Sequence, residues 1–209
     1  MLQIQNHQTL TPSASELHAL RESFEQNYFV RLAQLLEPTL LAAIQEMIHS
    51  DLFDERVTPK IGSVESCADP RIDNGFQALM NQPEVRATIS AIIAQPVDLW
   101  AGATVRRVPG RNHFSNWHND LAPPIASESG ERYERVAPMS LNVSTGPYEG
   151  GNLEIQSVPD HRLLADVPNP TPGDAILFAI GEGLRHRVAD VTGGHPRMVH
   201  VGWFHRRLD

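Results

Sequence analysis

At Pro96 the hydrophobic pattern of this chain changes period, which calls for two layers of different kind. Before it, apolar residues recur at helical spacing. Leu17, Leu20 and Phe24 follow Ser13 or Ser15 as a cap, and Leu40, Leu41, Ile44, Met47 and Ile48 follow Pro38. Two more helices are predicted over 74–81 and 83–95, and NYFVRLAQ reads as a short strand between the first two. Residues 52–72, polar and containing Pro59, Gly62 and Pro70, read as an exposed connection. After Pro96, alternating runs predict strands at 97–108, 113–120, 136–144, 151–157, 174–179, 185–190 and 197–205, punctuated by Pro-Gly and Gly-Gly. Helices first and strands second imply an α+β, mainly β fold: a sandwich or barrel with one face buttressed by an N-terminal helical layer. At 209 residues one domain is expected, with 1–96 as helical support and 97–209 as the core.

Composition excludes several classes of function. No run approaches the roughly 20 apolar residues of a membrane span, and MLQIQNHQTLTPSASE lacks a basic segment followed by an apolar one, so a cytoplasmic location is expected. Cys67 is the only cysteine, so any metal must be held by His, Asp or Glu. The net charge of −8 argues against nucleic acid as a partner. Residues 101–209 are less acidic, with 11 basic side chains, all arginine, against 12 acidic ones. The arginine fork suits carboxylates, which points to an anionic small molecule.

Within NWHNDL, His118 and Asp120 are two apart, and on a strand that spacing turns both to one face. His186, in GLRHRV, follows on another predicted strand. Two histidines and one carboxylate on one face of an octahedron leave open positions, the arrangement of non-haem Fe(II) oxygenases. His7, His18, His49, His161 and His195 are expected at the surface, whereas His113 and His205 lie in predicted strands and could line a pocket. Trp117 and Asn119 should point away from the ligands. On the last strand Arg197, Val199, Val201 and Trp203 share a face, so if Trp203 packs inside, Arg197 does too. A buried arginine requires an anion, which either a ligand or a protein Asp or Glu could supply.

At this point residues 97–205 resemble the 2-oxoglutarate and Fe(II)-dependent oxygenase superfamily, in particular its prolyl-hydroxylase-like branch. The resemblance implies a double-stranded β-helix (a jelly-roll, cupin-like barrel) with His118, Asp120 and His186 as ligands of Fe(II). It makes Arg197 the anchor for the distal carboxylate of 2-oxoglutarate. EGGNLEI resembles the family's Gly-Gly turn followed by an inward leucine, here Leu153, and TPGDAILF resembles the stretch before the distal histidine. Val188 and Trp203 match positions lining the cosubstrate pocket. Ser140 and Ser115 stand where close prolyl hydroxylases often carry tyrosines, so peptidyl-proline is not implied as substrate.

The activity implied is O₂-dependent oxidation of a small molecule, free amino acid or protein residue, with release of succinate and CO₂. Retention of Asp120 favours hydroxylation or desaturation over halogenation. The alternatives are a cupin-type metal enzyme that does not use 2-oxoglutarate and a catalytically silent barrel that binds a small acid or a protein. Arg106, Arg107, Arg111 and Arg185 lie near the site in sequence, with a solvated face as the simpler expectation for each. Residues 121–135 lack periodicity and carry Pro123 and Pro124, so they read as a mobile lid.

Overall fold

The computed structural model describes residues 1–58, 62–111, 113–127 and 129–208. A small pair, β1 (Gln3–Ile4) and β2 (Thr9–Leu10), precedes helix α1 (Ala14–Asn27). Ser13 starts α1: its hydroxyl accepts from Glu16 N while Glu16 accepts from the Ser13 backbone, which satisfies two otherwise orphaned donors. Ser13→Ala should therefore cost about 1 kcal/mol of unfolding free energy, visible as a lower urea midpoint at unchanged slope.

Strand β3 (Phe29–Leu32) follows, then α2 (Pro38–Met47). Helices α3 (Pro70–Met80) and α4 (Pro83–Ile93) also begin at a proline, whose missing N–H costs nothing in a first turn. The four helices overlap the predicted ones, but α3 starts at Pro70, four residues before the predicted 74–81 and inside the predicted connection. No helix among the described residues is long and apolar enough to cross a membrane.

Residues 52–72 are not a connection. They contain the hairpin of β4 (Phe53–Thr58) and β5 (Gly62–Cys67), and only 59–61, which include Pro59, lie outside the described residues. The hairpin is hard to read because β4 is an edge strand exposed at Asp54, Glu55, Arg56 and Val57. Its charges guard the edge against further pairing, and its alternation is correspondingly weak.

The barrel follows in order: β6 (Leu99–Arg107), β7 (Ile125–Ala126), β8 (Arg132–Asn142), β9 (Tyr148–Gly150) and β10 (Leu153–Ser157). Then come β11 (Leu163–Val167), β12 (Ala175–Phe178), β13 (Leu184–Val188), β14 (Val191–Gly194) and β15 (Arg197–Leu208). The major sheet runs β3-β12-β8-β15-β6-β5-β4, with β7 added on β8; facing it are β11-β10-β13 and β14-β9. Among the described residues the strand pairs of these sheets are antiparallel, giving the expected double-stranded β-helix.

The middle strands of the major sheet, β12 and the second half of β8 above all, are buried on both faces, and alternation decides which residue goes where. On β12, Ala175 and Leu177 join the cluster under the helices, with Met198, Phe204, Trp100 and Phe76. Ile176 and Phe178 join Leu153 and Ile155 between the sheets. Near-continuous apolar composition follows from burial on both sides.

Two strand expectations need correction. Residues 113–120 form no strand; in place of a ladder the segment has two isolated β-bridges, Ser115 with Gly62 and His118 with His186. A Cβ at Gly62 would lie 2.2 Å from Phe114 O, so glycine permits the first approach. The predicted lid ends inside structure, since Arg132 to Arg135 belong to β8 and Ile125–Ala126 pair with Tyr133 and Arg132 as a short hairpin. Glu128 within that segment lies outside the described residues.

Candidate metal centre and cosubstrate cavity

The backbone brings the two histidines together. His118 N donates to His186 O at 3.0 Å and His186 N to His118 O at 2.7 Å, so the residues are directly opposed and their side chains stand on the same face. Asp120 joins them: one carboxylate oxygen lies 3.7 Å from His118 Nε2 and the other 3.3 Å from His186 Nε2. One donor atom from each lies within 4.8 Å of the others, close enough to share one metal ion.

The surroundings set these groups up as donors. Asn116 O lies 2.7 Å from His118 Nδ1; accepting a proton there leaves Nε2 as the free lone pair. Trp203 Nε1 donates to Asp120 Oδ2 at 2.8 Å, fixing the carboxylate. Burial pushes the Asp120 pKa up, but the hydrogen bond and charge of His186 and the bond from Trp203 outweigh it and hold it below the ordinary value. Burial, with the neighbouring His186, holds His118 low and therefore neutral.

The triad lines a cavity of about 520 Å³, a size suited to a small ligand. Arg197, Ser140, Val188, Trp203 and Leu153 line the same cavity. Its wall along β15 is the alternate face Arg197, Val199, Val201, Trp203 and His205, opposite the face that packs under the helices.

Arg197 is 4% exposed and its neighbour across the sheet is Arg107, at 7%. Neither arginine forms an ion pair among the described residues; Arg197 instead meets the Tyr148 phenol. Burial lowers the Arg107 pKa to about 10; nearby Arg197 adds to that effect and Asp190 opposes it. Burial likewise depresses Arg197. Gly151, in the Gly-Gly turn, has φ +69° and a Cβ there would stand 2.5 Å from Arg197 Cδ. The glycine supplies both the left-handed turn and the space for the guanidinium stem.

Polar atoms left without partners test whether a ligand belongs here. Ser66 Oγ, Arg107 Nη1, Ser140 Oγ, Arg197 Nε and His205 Nδ1 are buried without a hydrogen-bond partner, and all five residues line this cavity. Among the described residues only Arg86 Nε and Asn169 Oδ1 are orphaned elsewhere. Buried orphans cost about 1–3 kcal/mol each. Their concentration fits a polar, anionic molecule beside a metal held by nitrogen and oxygen donors.

The other sequence candidates separate cleanly. Ser115 Oγ accepts from Val188 N at 3.1 Å and braces the strand instead of lining the cavity. Trp117 lies under Arg187 and Arg185, and Asn119 is exposed. Arg106 and Arg111 pair with buried Glu65, and Arg185 donates to Gln156. His113 accepts from Val108 N outside this cavity, and His205 lines it. His7, His18, His49, His161 and His195 are exposed. Arg107, Arg135 and Tyr148 escape sequence reasoning as site residues, although the alternation Ala103, Val105, Arg107 on β6 carries the signal for the first.

Comparison with known proteins agrees with this geometry. Residues 103–205 match the 2OG-Fe(II) oxygenase superfamily. A Pseudomonas putida prolyl-4-hydroxylase superposes with a TM-score of 0.65 at 21% identity, covering 91% of this chain and 99% of that one. The epimerase SnoN, in complex with Fe3+, alpha ketoglutarate and nogalamycin RO, gives 0.63 at 12% identity, covering 92% and 84%. EvdO2 from Micromonospora carbonacea var. aurantiaca, complexed with 2-oxoglutarate, gives 0.59 at 17%, covering 96% and 94%. Comparison with curated protein sequences gives no match. Through residues 103–205 the chain belongs to the 2OG-Fe(II) oxygenase superfamily, whose cofactors are Fe(II) and 2-oxoglutarate.

Proposed function

We propose that this chain is a single-domain dioxygenase that uses Fe(II), 2-oxoglutarate and O₂ to hydroxylate a small molecule or an amino-acid residue. The carrying observation is one cavity holding both the His118, Asp120 and His186 triad and two buried arginines without a protein carboxylate. Bound Fe(II) would activate O₂ as the oxidant, one oxygen atom going to succinate as 2-oxoglutarate gives up two electrons and CO₂, and the other to the substrate.

The protein's part is holding, orienting and drying. His118 and His186 present Nε2, Asp120 presents its carboxylate, and Trp203 keeps that carboxylate from rotating. Arg197 and Arg107 would receive the distal carboxylate, with the unpartnered Ser140 hydroxyl as a further donor, while the Tyr148 phenol, itself donating to Asn169 O, holds Arg197 from behind. Leu153, Val188, Ile176 and Phe178 form the apolar wall that excludes water. Ile125, on the β7–β8 hairpin, lines the mouth, so this short hairpin is the lid candidate. The arginine pair speaks against a cupin-type enzyme without 2-oxoglutarate, which has no diacid to neutralise it. Retained Asp120 favours hydroxylation over halogenation.

Gly151→Ala tests the cosubstrate end without touching a charge. The added methyl pushes Arg197 aside, so calorimetry on the metal-loaded protein should give 2-oxoglutarate binding weaker by about tenfold or more, from the 1–3 kcal/mol of strain at such positions. Unchanged affinity would contradict the placement of 2-oxoglutarate against Arg197.

A further inference from the structure

Four arginines line the cavity, Arg56, Arg107, Arg135 and Arg197, against a single acid, Asp120. The balance is 4 − 1 = +3. An Fe(II) ion and a 2-oxoglutarate dianion cancel one another, so the loaded cavity keeps that surplus. The chain as a whole carries −8, and most of its arginines outside the cavity find acids, among them Arg106 and Arg111 with Glu65, Arg187 with Glu154, Arg206 with Glu134 and Arg207 with Glu131, whereas Arg31, Arg86 and Arg185 bond to neutral acceptors. Among the described residues none of the four cavity arginines forms an ion pair. Asp190, on the far side of Arg107, offsets part of that residue's charge.

The surplus has two separate locations. Arg107 and Arg197 face one another across β6 and β15, whereas Arg135 lies opposite His205, eight positions further along β15. Eight positions along a strand span about 26 Å between backbones, so a five-carbon diacid held on Arg197 would leave Arg135 free. Arg135 is held rigidly: its guanidinium stacks 3.8 Å over the Trp203 ring and its Nη1 donates to Asp120 O at 3.2 Å. The rest of its fork has no other hydrogen bond among the described residues. Beside it, His205 Nδ1 is buried without a partner. Arg56, at the rim, adds a further exposed cation.

We infer that the primary substrate is a small organic acid whose carboxylate binds the free face of Arg135, beside Trp203 and next to the triad. The inference rests on the oxygenase reading, because 2-oxoglutarate must already occupy Arg197. Stacking on Trp203 removes rotational freedom from the fork before a ligand arrives, which lowers the entropic cost of binding. Its contact with the Asp120 backbone couples acid binding to the ligand that holds the metal.

The test uses protein loaded with redox-inert Zn(II) and titrated first with 2-oxoglutarate, then with a panel of small carboxylic acids, each beside its primary amide, by ligand-observed NMR. The amide keeps shape and loses charge. At least one acid should bind about tenfold or more tightly than its amide, since charge-assisted hydrogen bonds discriminate by at least that factor. Arg135→Gln should erase the difference and Arg135→Lys should keep part of it. Amides binding as well as acids, no acid binding at all, or an acid preference that survives in Arg135→Gln would each overturn the inference while leaving the cosubstrate reading intact. Failure of the first titration, with 2-oxoglutarate itself, would overturn both. The acid and amide comparison on the unmodified protein stands even if the variants fold poorly.

Discussion

His186→Ala is expected to lower turnover by about 10³-fold or more and to abolish stoichiometric Fe(II) binding, since loss of even an outer partner of a metal ligand costs about 10–100-fold. The effect is large because the opposing His118 and His186 backbones set both side chains at once. No other histidine is available as a replacement: His113 accepts a backbone bond outside the cavity, and His205 lies beside Arg135. Metal analysis after gel filtration, with succinate assayed in parallel, checks it. Full iron occupancy and normal turnover in the variant would remove His186 from the centre. The fold should survive, because the bridge uses the backbone of His186, which alanine keeps, and its ring contacts, with His118, the edge of Phe178 and Asp120, lie at the cavity.

Arg197→Ala should weaken 2-oxoglutarate binding by about 2–5 kcal/mol, a roughly 30- to 4,000-fold rise in Kd, with much less effect on metal affinity. The lower part of the range is the more fitting because Arg107 remains. Removing Arg197 also removes the repulsion that helps depress the Arg107 pKa, leaving a more basic neighbour able to accept the carboxylate. The double variant Arg107→Ala with Arg197→Ala is therefore expected to lose more than Arg197→Ala alone. Calorimetric titration of 2-oxoglutarate into the metal-loaded variants separates these cases. An unchanged Kd in both would favour a barrel that does not use 2-oxoglutarate.

Much of this arrangement is legible in the sequence because strand alternation is an unforgiving code. Arg197, Val199, Val201 and Trp203 on one face, with Met198 and Phe204 on the other, follow from a period of two. The helices are nearly as readable, since Ser13 and the prolines at 38 and 83 mark three of the starts, whereas Pro70, which starts α3, reads as part of a connection and sets the predicted start four residues late. The β4–β5 hairpin is not readable, because an exposed edge strand has no apolar face to declare it. Strand status for 113–120 fails for a different reason: the polarity alternates, yet single bridges at Ser115 and His118 replace a continuous ladder. Arg107 reads as one surface arginine among several, and only its pairing with Arg197 across β6 and β15 places it at the inner end of the cavity. That register is long-range information, which local pattern does not contain.

The central account, an iron centre oxidising 2-oxoglutarate inside this barrel, is tested most directly by succinate formation. Purified protein should convert 2-oxoglutarate to succinate only when Fe(II), 2-oxoglutarate and O₂ are all supplied, with a slow rate in the absence of substrate that rises when a small acid is added. Asp120→Ala should remove that activity. Succinate formation that persists without Fe(II) or in Asp120→Ala, or its absence from fully loaded wild-type protein under O₂ across the acid panel, would contradict the account.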